Sequence, residues 1–176
     1  MNYPEVGPLR YRDVDPIRRF MRWSAGTAPM SWLYARVLHH IDRLVHRLTR
    51  GRYSFGGWVS GLLVVMLTTT GAKSRQQRTF PVLGVPDGDN LVVIASNWGQ
   101  RHHPGWYYNL RAHPTATVAV GGVPRRVKAH EAIGEERERL WQRGLEVYPR
   151  YGTYKRRAAH RRIPVMVLAP VSDKTA

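Results

Sequence analysis

Short runs of apolar and β-branched residues, several of them separated by hairpin-length turns, constrain this fold more than any other feature of the sequence. Leu62 to Thr70 is rich in Leu, Val and Thr. Phe80 to Val85 follows, then Pro86-Asp87-Gly88-Asp89, a strong turn signal, and Leu91 to Ser96 returns as its hairpin partner. Thr115 to Val120 and Val123 to Ala132 are separated only by Gly121-Gly122, and Ile163 to Ala169 is a further strand. Connections this short allow antiparallel pairing, whereas a parallel crossover needs about a dozen residues or more. No strand–helix–strand repeat dominates, so a doubly wound sheet is disfavoured. The pattern predicts an α+β, mostly β chain: a small closed or half-open barrel of about six largely antiparallel strands with peripheral helices, which leaves few exposed edges.

Helical signals lie between and before the strands. Pro104 to Ala112 reads as a short helix with Pro104 in its first turn and Pro114 beyond its end. Glu135 to Val147 starts on two carboxylates, which suit a helix N-terminus, and Pro149 opens another short helix. Upstream, residues 27–50 contain Leu33, Val37, Ile41, Leu44 and Leu48 at spacings of three and four, closed by Gly51. Arg36, Arg43, His46, Arg47 and Arg50 occupy the other faces. This amphipathic helix either packs on its own domain or lies on anionic lipid. Residues 1–26, punctuated by Pro4, Pro8 and Pro16, read as an irregular basic arm ahead of a single domain spanning 27–176.

Charge and composition narrow the partners. Lys and Arg total 28 against 12 Asp and Glu, a net +16 that favours phosphorylated cofactors, nucleic acid or anionic lipid. There are no cysteines, so disulfides and thiolate metal sites are excluded. The most apolar run, Trp58 to Leu67, is shorter than the roughly 20 residues that span a bilayer, and no signal-peptide h-region follows the N-terminus. The expected location is cytoplasmic, with peripheral attachment at the inner face of the membrane as a possibility raised by the basic helix.

Three constellations carry candidate chemistry. In Leu67-Thr68-Thr69-Thr70-Gly71-Ala72-Lys73-Ser74-Arg75-Gln76-Gln77-Arg78 a strand ends in hydroxyls, turns at Gly71 and presents cations. Such a turn suits a phosphate or carboxylate, or is simply a charged hairpin turn. In the second, Ser96 and Asn97 end a strand, and Trp106 and Asn109 share a helix face. Trp106 and Asn109 either form an apolar wall beside an amide, or Trp106 and Leu110 are core and Asn109 is a cap. In the third, Tyr151 and Tyr154 share a helix face after Tyr148, offering apolar area with hydroxyl donors or ordinary packing. The histidines lack metal-ligand spacing, and no metal is expected. No GxSxG elbow, GxGxxG loop or Walker A loop is present.

In this order, the LTTTGAKS–QQR, ASN–G, HPGWYYNLRAHP, YPRYGTY and IPVMVLAP segments resemble the deazaflavin-dependent nitroreductase family, over about Leu67 to Pro170. That family has a split β-barrel fold and uses coenzyme F-420, a phosphorylated 8-hydroxy-5-deazaflavin with a glutamate tail. The resemblance implies that Lys73 and Arg78 hold the phosphate and acidic tail, with Thr70, Gly71 and Ala72 as the turn between strand and cations. It implies that Pro81, Ser96, Asn97, Trp106 and Asn109 line the deazaflavin, and that Tyr148, Tyr151 and Tyr154 lie near the acceptor. Ser96 and the three tyrosines are then the candidate catalytic groups, hydrogen-bonding an acceptor as it receives a hydride. Arg75 and Trp98 depart from the family's smaller residues, and Trp98 narrows the acceptor side.

The acceptors implied are quinones, activated enones or lactones, and nitroaromatics. The competing readings are a split barrel that uses FMN, a nucleic-acid-binding module, and a cofactor carrier without turnover. Scattered basic residues and the lack of a recognition motif argue against nucleic acid.

Overall fold

Side-chain alternation along each strand decides which face of the sheet becomes the interior. In the computed structural model, which describes residues 62–171, this produces a closed barrel. The expected basic arm (1–26) and amphipathic helix (27–50) lie outside the described residues. The strands are β1 (Val64–Thr70), β2 (Gln77–Asp87), β3 (Asn90–Ile94), β4 (Thr115–Val120), β5 (Val123–Glu131) and β6 (Val165–Pro170). They close in the order β1-β2-β3-β6-β5-β4, and every pairing is antiparallel. The expected split barrel of six strands is the fold observed.

Val65, Leu67, Leu91, Val93, Val118 and Leu168 point inward and form one core. Their sequence neighbours Val92, Ile94 and Val167 point outward into a second core. That outer core is covered by helices α2 (Gly134–Val147) and α3 (Arg150–Arg157), through Leu140, Trp141, Tyr151 and Tyr154. Full burial of such apolar side chains contributes about 1.5–3 kcal/mol each. The packing over β3 is close: a methyl group at Gly144 would lie 2.4 Å from Ile94 Cδ1. Arg139 of α2 grips Asp87 at the end of β2 through two hydrogen bonds of 2.7 and 2.9 Å. On the remaining outer wall Arg126, Lys128 and His130 of β5 are exposed.

Antiparallel pairing gathers the C-terminal ends of β1, β3 and β5 and the N-terminal ends of β2, β4 and β6 at one end of the barrel. Helix α1 (Gly105–Ala112) packs at this end and sends Trp106 and Leu110 into the inner core. The two tight hairpins at Gly88 and Gly121-Gly122 are at the other end.

Two boundaries differ instructively from the sequence reading. β2 begins at Gln77 instead of Phe80, because pairing with β1 runs on through Thr70↔Gln77. β3 stops at Ile94, and the chain enters a 3-10 turn at Asn97–Gly99 where strand character was expected through Ser96. Among the described residues, no helix is long and apolar enough to cross a membrane.

Candidate functional site

The Gly71–Gln76 turn joins β1 to β2 at the α1 end of the barrel. Gly71 N–H donates to Gln76 O (2.8 Å) and Arg75 N–H donates to Gly71 O (2.9 Å). Glycine at its start leaves room for the turn, since a methyl group there would meet Ser74 Oγ at 2.5 Å and Gln76 O at 3.2 Å and force both to shift. Arg75 adopts a left-handed conformation (φ 59°). Lys73, Arg75 and Arg78 are all exposed, and none has a carboxylate partner among the described residues. Three unneutralised cations within six residues make an anion-binding surface, with arginine forks matched to phosphate or carboxylate.

The turn is fixed from below by α1. Buried Asn109 accepts a hydrogen bond from Ala72 N–H (3.0 Å) and donates to Thr69 Oγ1 (2.9 Å). Gln77 Nε2 donates to Thr70 Oγ1 (3.0 Å) across the mouth of the same turn. Of the two readings open for this helix, the structure has Trp106 and Leu110 in the core and the Asn109 amide engaged by the turn. Trp106 is 6% exposed and braces the helix from inside the barrel. Pro81, half-buried, sits on β2 opposite Met66.

At the same end, Asn97 (φ 47°), Trp98 (φ 58°) and Gly99 (φ 77°) are consecutive left-handed residues. Asparagine and glycine adopt this conformation readily, but for Trp98 it costs about 1–2 kcal/mol, so surrounding contacts must hold the segment. Asn97 Nδ2 donates to His102 O (2.8 Å). Gly99 lies against α3, where a methyl group would be 2.9 Å from Arg157 Cβ and 3.2 Å from Tyr154 O. Arg161 donates to Ser96 O (2.8 Å), Gln100 O (3.0 Å) and Ala95 O (3.4 Å). Sequence reasoning missed Arg161, because it sits inside the basic run Lys155–Arg162 and nothing in that run marks it out.

The tyrosines form a cluster of their own. Tyr148, Tyr151 and Tyr154 are buried, and the hydroxyls of Tyr148 and Tyr154 are 3.2 Å apart. The Trp98 ring stands edge-on to Tyr154, with centroids 6.0 Å apart. Burial, reinforced by the neighbouring Tyr148 phenol, raises Tyr151 and Tyr154 far above the ordinary tyrosine range. They are therefore neutral hydrogen-bond donors at working pH. This cluster belongs to the outer core and Trp106 to the inner one, so the structure does not bring Trp106 and Tyr151 onto one wall. It does join the tyrosines to the Ser96–Gly99 segment through Trp98 and Gly99. No cluster of metal-ligating side chains occurs among the described residues.

Residues 41–170 match the family described as F420H(2)-dependent quinone reductase. The chain belongs to that family. It is 37% identical over 146 residues to an F420H(2)-dependent quinone reductase of Mycobacterium tuberculosis, covering 78% of this chain and 95% of that protein. Among solved structures, an F420-H2 dependent reductase is 38% identical with a TM-score of 0.56, over 60% of this chain and 93% of the other. A protein solved as a domain-swapped dimer is 32% identical with a TM-score of 0.58, over 80% of this chain and 99% of the other.

Proposed function

We propose that this chain is an oxidoreductase that binds reduced coenzyme F-420 at the α1 end of its barrel and delivers a hydride to a quinone. The relatives' activity supports the cofactor and the acceptor class. The observation that carries the placement is the Gly71–Arg78 turn, with three cations lacking carboxylate partners among the described residues. An anionic cofactor with a phosphate and a glutamate tail fits that donor set. FMN, with a single phosphate, uses less of it.

When bound, the reduced deazaflavin supplies the hydride, and the protein supplies position and field. Lys73 and Arg78 hold the anionic tail. Thr70, Gly71 and Ala72 set the turn's path, and Asn109 keeps the Ala72 amide in place. Pro81, Ser96 and Asn97 would line the ring when it is bound, and Trp106 braces α1 from inside the barrel. Ser96 lies on the acceptor side, and the buried Tyr148, Tyr151 and Tyr154 back it from the outer core through Trp98 and Gly99, a neutral hydroxyl-bearing wall beside the negative charge that develops on a quinone oxygen. Because burial disfavours tyrosinate, the phenols act as hydrogen-bond donors and water supplies the proton. Trp98, wedged against Tyr154, limits the acceptor to a flat ring.

Residues 27–176 act as one domain in this reading, and the basic, amphipathic sequence at 27–50 contacts anionic lipid, where quinones reside. The test is anaerobic oxidation of reduced coenzyme F-420 by a soluble naphthoquinone. Catalysed recovery of the oxidised cofactor's absorbance is expected. A rate no faster than the uncatalysed one, or a yellow FMN-loaded protein, contradicts the reading.

A further inference from the structure

The Ala95–His103 segment holds Trp98, flanked by left-handed Asn97 and Gly99, in a left-handed conformation that a bulky side chain disfavours. The backbone carbonyls that define its path converge on one side chain from outside it. Arg161 Nε donates to Gln100 O at 3.0 Å, Nη2 to Ser96 O at 2.8 Å, and Nη1 to Ala95 O at 3.4 Å. Nη1 also lies 2.9 Å from His103 Nδ1. A guanidinium has no acceptor, so His103 accepts at Nδ1 and carries its proton on Nε2. Arg161 thus ties the end of β3, the 3-10 turn and the entry to α1 to one planar fork.

We propose that Arg161 is a positioning residue that sets the Ser96 loop for hydride transfer, and that it does so through a clamp requiring neutral His103. The kinetic part rests on the function proposed above; the clamp itself does not. Protonated His103 has no acceptor at Nδ1 and would place a second cation against Arg161. The groups facing His103 are Arg161, Arg111 and Glu131, with the Tyr107 and Tyr108 rings packed on it at 4.8 and 5.9 Å. Glu131, which also accepts from the Tyr107 hydroxyl at 3.0 Å, favours the charged imidazole, but more weakly than burial and Arg161 oppose it. Burial first, and then Arg161, hold the His103 pKa below its ordinary value of 6.5. The clamp is therefore closed at neutral pH and opens on the acid side of that value.

Hydrogen exchange of the cofactor-free protein reads the clamp directly. Arg161→Met should lower protection of the Gly99 and Gln100 amides by about tenfold at about pH 7.5, with barrel strands unchanged. Arg161→Lys should not rescue it, because an ammonium cannot reach acceptors spread around a planar fork. In the wild type the same amides should lose protection at about pH 4.5 relative to the rest of the barrel. His103→Asn, which offers a non-titrating acceptor, should abolish that acid loss. With reduced coenzyme F-420 and a naphthoquinone, Arg161→Met should lower kcat by about ten- to a hundredfold while cofactor affinity changes less than about threefold. Full protection in Arg161→Met, or acid loss persisting in His103→Asn, would overturn the clamp. Wild-type kcat in an Arg161→Met protein whose loop exchanges freely would overturn the positioning role. Absence of turnover in the wild type would instead implicate the proposed function.

Discussion

Replacing Asn109 with alanine tests whether the cationic turn is built from beneath. The side chain joins α1 to two points on the turn, Ala72 N–H at 3.0 Å and Thr69 Oγ1 at 2.9 Å. Each net hydrogen bond contributes about 0.5–1.5 kcal/mol, and a stranded buried polar group costs about 1–3 kcal/mol. Thr69 is fully buried, and its remaining contact, to Arg78 O, is long at 3.4 Å. One lost net bond at Ala72 plus the stranding of Thr69 sums to about 1.5–4.5 kcal/mol, below the roughly 5–15 kcal/mol that a domain has to lose, so the variant should fold. Urea unfolding followed by far-UV circular dichroism measures the change. Asn109→Asp keeps an acceptor for Ala72 but buries a carboxylate. Its pKa should rise, and its stability deficit should shrink as pH falls through that raised value, because protonation restores a donor to Thr69. A loss under about 0.5 kcal/mol for Asn109→Ala would refute the claim that this amide carries the turn.

Two further perturbations address the scaffold. Gly144→Ala gains helix propensity of about 1 kcal/mol, yet its methyl group would lie 2.4 Å from buried Ile94, so a net loss of about 1–2 kcal/mol is expected in the same unfolding assay. Asp87→Asn removes the forked contact with Arg139, whose hydrogen bond holds the Asp87 carboxyl below its usual range. With a depressed folded pKa, the contribution is present above the unfolded value of about 3.9 and is lost as pH falls through the folded one. The pair is partly exposed, so about 0.5–1 kcal/mol at neutral pH is expected, fading in acid; a difference that persists at about pH 2 would contradict the ion-pair origin.

The barrel was readable because its strands are separated by glycine-marked turns and their branched residues alternate. The β2–β3 and β4–β5 hairpin partners follow from those turns and the two-faced core from the period of two, whereas the β1–β4, β3–β6 and β5–β6 pairings that close the barrel join strands distant in sequence and were not readable. The helices at 105–112, 134–147 and 150–157 were readable for similar reasons, from their prolines and carboxylates. Site details were less accessible. Trp106 and Asn109 lie three apart on one helix face, and spacing alone could not say whether that face met a ligand or the barrel. The answer depends on where the β1–β2 turn comes to rest, a contact between residues 37 apart. Tyr151 and Trp106 looked like two sides of one pocket, but alternation in β3 sends their cores to opposite faces of the sheet. Arg161 was hidden by the charges around it: its partners are backbone carbonyls more than 60 residues away, and carbonyls leave no mark in a sequence.

The central claim is that the turn after β1 grips the anionic part of coenzyme F-420. Fluorescence titration of the oxidised cofactor into wild type and into the Lys73→Ala/Arg78→Ala double variant tests it most directly. Each lost charged hydrogen bond should weaken binding by about tenfold, so the double variant should bind about a hundredfold less tightly, and added salt should narrow the gap by weakening the wild type more. Equal affinity in the two proteins would contradict the assignment.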